Sequence, residues 1–134
     1  MQNEFVSFAV GFVCFFATMV RADAHAFIVR AQPRVGSKLD KAPTEVRIWF
    51  SESVDPASSS VKVFDEQGKQ VDKKDMHADS TNHAVLHVSL VSGLRPGSYR
   101  VSWRVRLVDT HVTNGDFRFQ IAGTQAARTS EAAN

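Results

Sequence analysis

Apolar and polar residues alternate along much of the chain after residue 44, which is the pattern of half-buried β-strands. The longest run is SYRVSWRVRL at 98–107, in which every second residue is apolar and the residues between are arginine or serine. Shorter runs of the same kind occupy 45–50, 61–63, 86–90 and 117–121. Each run predicts a strand with one face toward a core and the other toward water.

Turn-forming residues separate these runs at intervals suited to two packed sheets. The signals are Gln32-Pro33 with Gly36, Asp55-Pro56 with Ser58 to Ser60, Glu66-Gln67-Gly68, Pro96-Gly97, and Asn114-Gly115. About seven strands with no helical stripe predict an all-β fold, an immunoglobulin-like β-sandwich with Greek-key connections. Tyr99 opens a strand after a Pro-Gly turn, so it is either the corner tyrosine of such folds or a plain core residue.

The chain begins with an apolar run at 5–20 that is short for a membrane-spanning helix, which needs about 20 apolar residues. Ala22-Asp23-Ala24 follows and has the small-x-small form of a signal-peptidase site. These features predict a cleavable signal peptide at 1–24 and a mature chain that starts at His25. The first residues carry an acid and no Lys or Arg, unlike most signals, so a retained membrane anchor is the alternative.

Cleavage after Ala24 would leave 110 residues, a usual size for one domain. The single cysteine, Cys14, would leave with the signal, so the mature chain would have no disulfide. Its formal charge would be +3, too small an excess to indicate nucleic acid. We therefore predict one sandwich domain at 25–122, followed by a small, polar, disordered tail at 123–134.

His25 and a later D-x-H triplet supply candidate metal ligands. A free amine at His25, with a pKa of about 7.7–8, can close a chelate ring with Nδ1 of the same residue when a metal competes with the proton. Asp109 and His111 stand two positions apart, and in extended backbone they project from the same face. Together they complete a set of amine, two imidazoles and a carboxylate. Taken alone, the two halves are better explained by a frayed first residue and by a solvated strand end, respectively.

The chain resembles the CopC-type periplasmic copper-resistance proteins. The motifs that carry the resemblance are ADAH at the processing site, IWFSESVD at 48–55, GLRPGSYRVSWRV at 93–105 and VDTHVTNGDFRFQI at 108–121. The resemblance extends from His25 to about Ile121 and implies a periplasmic β-sandwich that binds one Cu(II) ion per chain. It implies His25, Asp109 and His111 as the metal ligands. It also implies that Glu52 orients one of these ligands.

The sequence departs from that family at two places. Members with a separate Cu(I) site carry a methionine-rich loop, whereas the mature chain keeps only Met76, so we expect no strong Cu(I) site. Val112 stands where the family often has proline after the D-x-H triplet. Met76 with His77, His83 and His87 is the one candidate for a second, weak site. A mobile polar loop and the wet face of a strand explain these histidines without a metal.

The combined features favour a non-enzymatic Cu(II) carrier or buffer in copper resistance or homeostasis. We expect a monomer whose partners are the copper ion and an inner-membrane copper transporter, with no nucleic acid. The Irving–Williams order favours Cu(II) over Zn(II) at nitrogen and oxygen donors. A copper-dependent oxidative enzyme with an N-terminal histidine chelate is one alternative, although catalytic metals generally need an open position. A metal-free adhesion or assembly sandwich is the other.

A basic stripe is the last feature with possible chemistry. Its members are Arg100, Arg104, Arg106 and Arg118. A solvated sheet face explains the stripe, and an acidic membrane partner is the functional alternative.

Overall fold

The structure is a computed structural model that describes residues 28–123 and contains eight strands there. In chain order these are β1 (Ile28–Gln32), β2 (Lys38–Leu39), β3 (Glu45–Phe50), β4 (Val54–Phe64), β5 (His77–Ala78), β6 (Val85–Ser89), β7 (Gly97–Leu107) and β8 (Val112–Ile121). Residues 28–123 contain no helix, and hence none that could cross a membrane. The prediction of an all-β fold is confirmed.

The strands form two sheets of four, with the orders β1-β3-β6-β5 and β2-β8-β7-β4. All neighbours are antiparallel except β2 and β8, which are parallel. The chain crosses from the first sheet to the second between β3 and β4, through a link of three residues at 51–53. Buried residues of both sheets belong to one apolar cluster, so the sheets form a sandwich around a single core.

The alternation in the sequence correctly predicts which side of each long strand faces this core. The inward residues of β7 are all at most 4% exposed: Tyr99, Val101, Trp103, Val105 and Leu107. Phe50 of the opposite sheet meets Trp103 edge to face, with ring centroids 5.5 Å apart. Full burial of one large apolar side chain contributes about 1.5–3 kcal/mol, so the inward residues of β7 contribute substantially to the stability of the domain.

Two of the predicted turns are strand in the structure. Asp55 and Pro56 lie in β4, where the pairing with β7 shifts register between Asp55 and Ser60. The irregular stretch keeps Pro56, which has no N–H, out of the regular ladder. Asn114 and Gly115 lie inside β8 and pair with β7. At Asn114-Gly115, continuous pairing with a long neighbour outweighs the local preference for a turn.

Two short strands escaped the sequence analysis. Both β2 and β5 have only two residues, too few to show an alternating pattern. β5 begins at His77, inside the polar stretch for which we predicted a mobile loop, so that prediction is wrong there. Its partners in β6 lie eight to ten positions further along the chain, and no local pattern predicts this pairing.

Tyr99 is the corner tyrosine that the Pro-Gly turn suggested. Its ring is 4% exposed and stacks on Phe119, with ring centroids 5.4 Å apart. Its hydroxyl donates a hydrogen bond of 2.5 Å to the backbone carbonyl of Arg95, four residues upstream. Burial raises the pKa of the Tyr99 phenol, so the hydroxyl remains a donor.

Several sequence predictions concern residues outside the described range. These are the signal peptide at 1–24, the cleavage after Ala24 with the new first residue His25, and the tail from Thr124 to Asn134. They stay predictions.

Asp72 is a buried carboxylate that ties the segment after β4 to β4 itself. It is 6% exposed and accepts a 2.9 Å hydrogen bond from the backbone N–H of Val63. The side-chain amide of Gln70 and the backbone N–H of Lys74 also donate to it. A buried N–H without an acceptor is costly, so Asp72 replaces the partner strand that β4 lacks on this edge.

We predict that Asp72→Ala lowers the free energy of unfolding by about 1–3 kcal/mol, because the Val63 N–H is left buried without an acceptor. Urea denaturation followed by tryptophan fluorescence measures the change. Asp72→Asn keeps one acceptor oxygen and is expected to lose clearly less. Equal losses in the two variants would show that the carboxylate is not acting as an acceptor for β4.

Candidate metal centre

Asp109 and His111 lie in the tight turn that joins β7 to β8. The turn is closed by backbone hydrogen bonds from Leu107 N–H to the His111 carbonyl, 2.8 Å, and from Thr110 N–H to the Leu107 carbonyl, 2.9 Å. Thr110 has a φ of 80°, the left-handed conformation that reverses the chain here. The turn thus carries both residues out beyond the core, at one end of the second sheet.

The two side chains contact each other directly. Oδ1 of Asp109 accepts the backbone N–H of His111 at 3.1 Å, and Oδ2 lies 3.0 Å from Nδ1 of the His111 ring. The sequence analysis predicted that they meet, but expected an extended strand to align them. The actual cause is a turn in which a carboxylate caps the N–H two residues on.

Hydrogen bonding sets the electrostatics of this pair. The contact with Asp109 raises the pKa of the His111 imidazole, and the negative charge of Glu52 adds to this effect. The same contact with His111 lowers the pKa of the Asp109 carboxyl. His111 is 82% exposed and Asp109 49% exposed at the side chain. The pair is therefore open to solvent, with Nε2 of His111 pointing away from its carboxylate partner.

Glu52 lies at the same end of the sandwich, in the link between β3 and β4. The neighbouring Ser53 carbonyl accepts a 3.2 Å hydrogen bond from the backbone N–H of Val108, which ties the link to the β7–β8 turn. Val54, the next residue, pairs with Leu107. The fold therefore brings Glu52 close to a pair that follows it by more than fifty residues in the sequence.

The first described residue also belongs to this end. Ile28 pairs with Phe50, and β1 runs antiparallel to β3, so β1 begins beside the end of β3 that leads to Glu52. His25 itself lies outside the described residues. Within residues 28–123, no group of three or more His, Cys, Asp or Glu side chains is arranged to hold a metal ion. The described part thus supplies a carboxylate and an imidazole, which is half of the predicted ligand set.

His83 is nearer to this end than the sequence suggested. Its backbone carbonyl accepts a 3.0 Å hydrogen bond from Val54 N–H, and the carbonyl of Ala84 accepts one from Phe50 N–H. The loop that carries His83 therefore packs beside the link with Glu52. No spacing in the sequence indicates this, because the contact joins residues about thirty positions apart.

The other histidines form a separate cluster on the outer side of the first sheet. His77 and His87 are direct cross-strand partners whose rings stack with centroids 5.3 Å apart. Nε2 of His87 lies 3.0 Å from Asp79, and its Nδ1 lies 3.4 Å from Glu45. His87 is only 8% exposed, so the expectation that it faces water is wrong. Carboxylates occupy the directions in which its nitrogens would bind a metal.

Met76 also lies apart from a metal site. It is partly buried and packs against the apolar core rather than facing the stacked histidines. The residues of the candidate second site therefore lie apart. Met76 packs on the core, His87 is buried, and His83 lies in a different loop. Met76 is the sole thioether of residues 28–123, so it is the one soft ligand that this part of the chain contains.

A comparison with known proteins places this chain. A family model described as the CopC domain matches residues 28–122, which is most of the chain and all but one of its described residues. The chain belongs to the CopC family. The resemblance inferred from the motifs is thereby confirmed, and the matched CopC region coincides with the sandwich.

Two proteins found by sequence extend this picture. The chain is 32% identical over 110 residues to the copper transport protein CutJ of Bacillus subtilis, covering 82% of this chain. It spans only 20% of CutJ's own length. Protein YobA of Escherichia coli K12 is 29% identical over 98 residues, and the match covers 79% of YobA.

Solved CopC-family structures have the same fold. CopC from Methylosinus trichosporium OB3b superposes with a TM-score of 0.67 at 29% identity, covering 72% of this chain and 93% of that one. PcoC, a methionine-rich copper resistance protein from Escherichia coli, gives a TM-score of 0.62 at 22% identity, covering 72% and 97%. The sandwich of residues 28–123 is therefore the CopC fold.

The cluster on the first sheet generates a prediction about acid stability. Hydrogen bonds from the Thr81 hydroxyl and backbone, followed by His87, lower the pKa of Asp79 from 3.8 to about 2. A lowered pKa means that the ionised carboxylate stabilises the fold above pH 3.8, and that this contribution is lost as the pH falls toward 2. We predict that Asp79→Asn is less stable than the parent near neutral pH, and that the two converge in this acid range.

Urea denaturation at a series of pH values measures this difference. Asp116→Asn changes an exposed carboxylate of the second sheet and serves as the matched control, with no comparable convergence expected. A stability difference for Asp79→Asn that stays constant down to pH 2 would contradict the assigned contacts.

Proposed function

We propose that this CopC-family chain is a periplasmic Cu(II)-binding carrier or buffer in copper resistance or homeostasis. After cleavage behind Ala24, the α-amine and imidazole of His25 bind one Cu(II) ion together with Asp109 and His111. The observation that carries the proposal is the direct contact of Asp109 with His111 at the end of the sandwich where β1 begins.

The start of β1 supports a role for His25. Ile28 follows His25 by three positions, and three residues span at most about 10 Å when fully extended. Ile28 pairs with Phe50, two residues before Glu52, so His25 has only a short distance to cover. An N-terminus joined to the opposite end of β1 would have lacked this reach.

The donor set suits copper as cargo. Asp109 already accepts two hydrogen bonds, yet an ionised carboxylate offers about four lone-pair positions and can also bind a metal. Nδ1 of His111 lies 3.0 Å from Oδ2 of Asp109, so these two atoms can bind the same ion once the metal displaces the proton between them. Two nitrogens from His25, one imidazole and one carboxylate provide the nitrogen and oxygen donors that favour Cu(II) in a tetragonal arrangement. The names of CutJ and PcoC, which refer to copper transport and copper resistance, support the same cargo.

The electrostatics support an additional role for Glu52 in orienting a ligand. Its charge acts on His111 from the β3–β4 link, which a hydrogen bond fixes to the β7–β8 turn. A carboxylate in this position can orient a ligand and balance part of the charge of a divalent ion. A site filled by four protein donors favours carriage over catalysis, because catalytic metals generally keep an open position.

We predict that the exported protein begins at His25 and binds one Cu(II) tightly, and that one extra residue before His25 greatly weakens binding. An added residue turns the amine into an amide, which removes one chelate donor. Mass spectrometry of the exported protein, without and with copper, reports both the first residue and the metal count. Competition titration against a chelator gives the affinities.

His77→Ala is the matched imidazole control for this experiment, because His77 belongs to the cluster on the first sheet. It is expected to leave the affinity unchanged, whereas His111→Ala is expected to weaken binding as strongly as the N-terminal extension. Undiminished affinity in the extended protein would refute the amine chelate. Undiminished affinity in His111→Ala would refute the assignment of the turn.

We further predict that Glu52→Gln weakens Cu(II) binding by about 10- to 100-fold, the usual effect of removing a group that orients a metal ligand. The change is isosteric and lies in an exposed link, so the fold should not suffer. The same chelator competition measures it, and Asp116→Asn controls for the loss of one negative charge. Equal affinities for Glu52→Gln and Asp116→Asn would show that Glu52 has no role in metal binding.

A further inference from the structure

The outward side of the second sheet carries a concentration of positive charge. We call it the basic face and define it by the outward-pointing basic residues of β2, β4, β7 and β8: Lys38, Lys62, Arg100, Arg104, Arg106 and Arg118. Among the outward-pointing residues of these four strands, the acidic ones are Asp55, which stands opposite Arg106, and Asp116. This one surface therefore has an excess of four positive charges, whereas residues 28–123 as a whole have a net formal charge of +3.

These cations have no ion-pair partners among the described residues. No carboxylate within residues 28–123 lies within 4.0 Å of any of them. Arg100 stands directly opposite Arg118, and like charges in that position destabilise a sheet. Arg104 stands between Ser60 and Asn114, neither of which is charged. The arrangement keeps the guanidinium groups available to an external anion.

The arginines of the other sheet have side-chain partners. On its outer side, Arg47 forms a 2.7 Å ion pair with Glu45, and the guanidinium of Arg30 lies 4.6 Å from the ring centroid of Trp49. Both therefore have partners within the domain, whereas among the described arginines of the basic face only Arg100 has one, the ring of Phe64. The contrast indicates that the charge on the basic face is not a general feature of the surface of this sandwich.

We propose that the basic face docks on a membrane surface of anionic phospholipids. Arginine guanidinium groups match phosphate geometry with paired hydrogen bonds, and a basic residue near such a surface is attracted to it. The β7–β8 ladder displays cations in rows about 5 Å apart across strands and about 7 Å apart along a strand. Mobile lipid headgroups can adjust to these rows without a fixed complementary pattern.

The composition of the face favours lipid over an acidic protein. Centres of protein interfaces are enriched in aromatic side chains and depleted in charge. On this face the aromatic residue is Phe64, which is half-buried with the Arg100 guanidinium 4.9 Å from its ring centroid. Ser60, Ser102, Asn114 and Gln120 are the uncharged outward neighbours. Such a surface suits peripheral, electrostatic attachment to headgroups without insertion.

Docking by this face would set the position of the metal centre. Arg106 precedes Asp109 by only three residues on the strand that leads into the β7–β8 turn. With β7 and β8 lying along the membrane, the turn would sit at the rim of the contact, open to the side. The proposed centre would then lie at the level of the headgroups. Docking itself does not require copper, so this inference stands apart from the proposed cargo.

Vesicle co-sedimentation of the exported protein tests the docking surface. The probes are vesicles of phosphatidylcholine alone and of an equimolar mixture with phosphatidylglycerol. We expect binding to the mixture alone, weakening as salt is raised. Each cation removed should weaken binding about five-fold, so Arg104→Gln with Arg118→Gln should cost roughly thirty-fold.

Lys41→Gln with Lys73→Gln is the matched control, because it removes two exposed cations that are not on the basic face. It is expected to reduce vesicle binding far less. Equal reductions in the two double variants would overturn the proposal, because net charge alone would then explain the binding. Failure to bind the phosphatidylglycerol vesicles would also overturn it. So would binding to soluble polyglutamate without vesicle binding, which would assign the face to an acidic protein.

Discussion

The register of β7 between β4 and β8 is the constraint on which both functional regions depend. Its five inward residues are at most 4% exposed, and a slip of one position would turn them all toward water. The same register directs Arg100, Arg104 and Arg106 outward and ends the strand at Leu107. The turn must then fall at 108–111, which is where Asp109 and His111 lie. Core packing thus fixes the position of residues that have no part in the core.

Sequence pattern predicts those parts of the fold that depend on local periodicity. The alternation along β7 is long enough to identify a strand and its buried face. Asn114-Gly115 misleads because a favourable turn dipeptide lies within ten residues of continuous pairing. The chain instead reverses at Thr110, which has a left-handed φ. The residue types of the D-x-H triplet do not predict this conformation. Local residue preference determines the position of a turn only where no long partner strand is available for pairing. Here β7 is available to β8.

The candidate site shows the same division. The D-x-H spacing correctly predicts that Asp109 and His111 meet, although a capped turn rather than a pleated strand aligns them. The position of Glu52 followed from family resemblance, because only the crossover between sheets brings it near His111. The burial of His87 was missed because His77 and Asp79, which contact its ring, lie in and just after a two-residue strand that shows no periodic pattern, and Glu45 contacts it from 42 positions away. Contacts between distant segments depend on topology, which no short window contains.

Polar groups at the two ends of the sandwich differ in burial and in their contribution to stability. At one end, Asp72 and Tyr99 are buried, and each satisfies a backbone group that would otherwise lack a partner. At the other end, Asp109 and His111 are exposed and bond mainly to each other. Removing a buried acceptor leaves an unsatisfied group in the interior, whereas removing an exposed side chain exchanges its contacts for water. Substitutions of Asp109 or His111 should therefore change the proposed metal binding without unfolding the domain. A loss of copper affinity in a folded His111 variant can consequently be interpreted as the loss of a ligand.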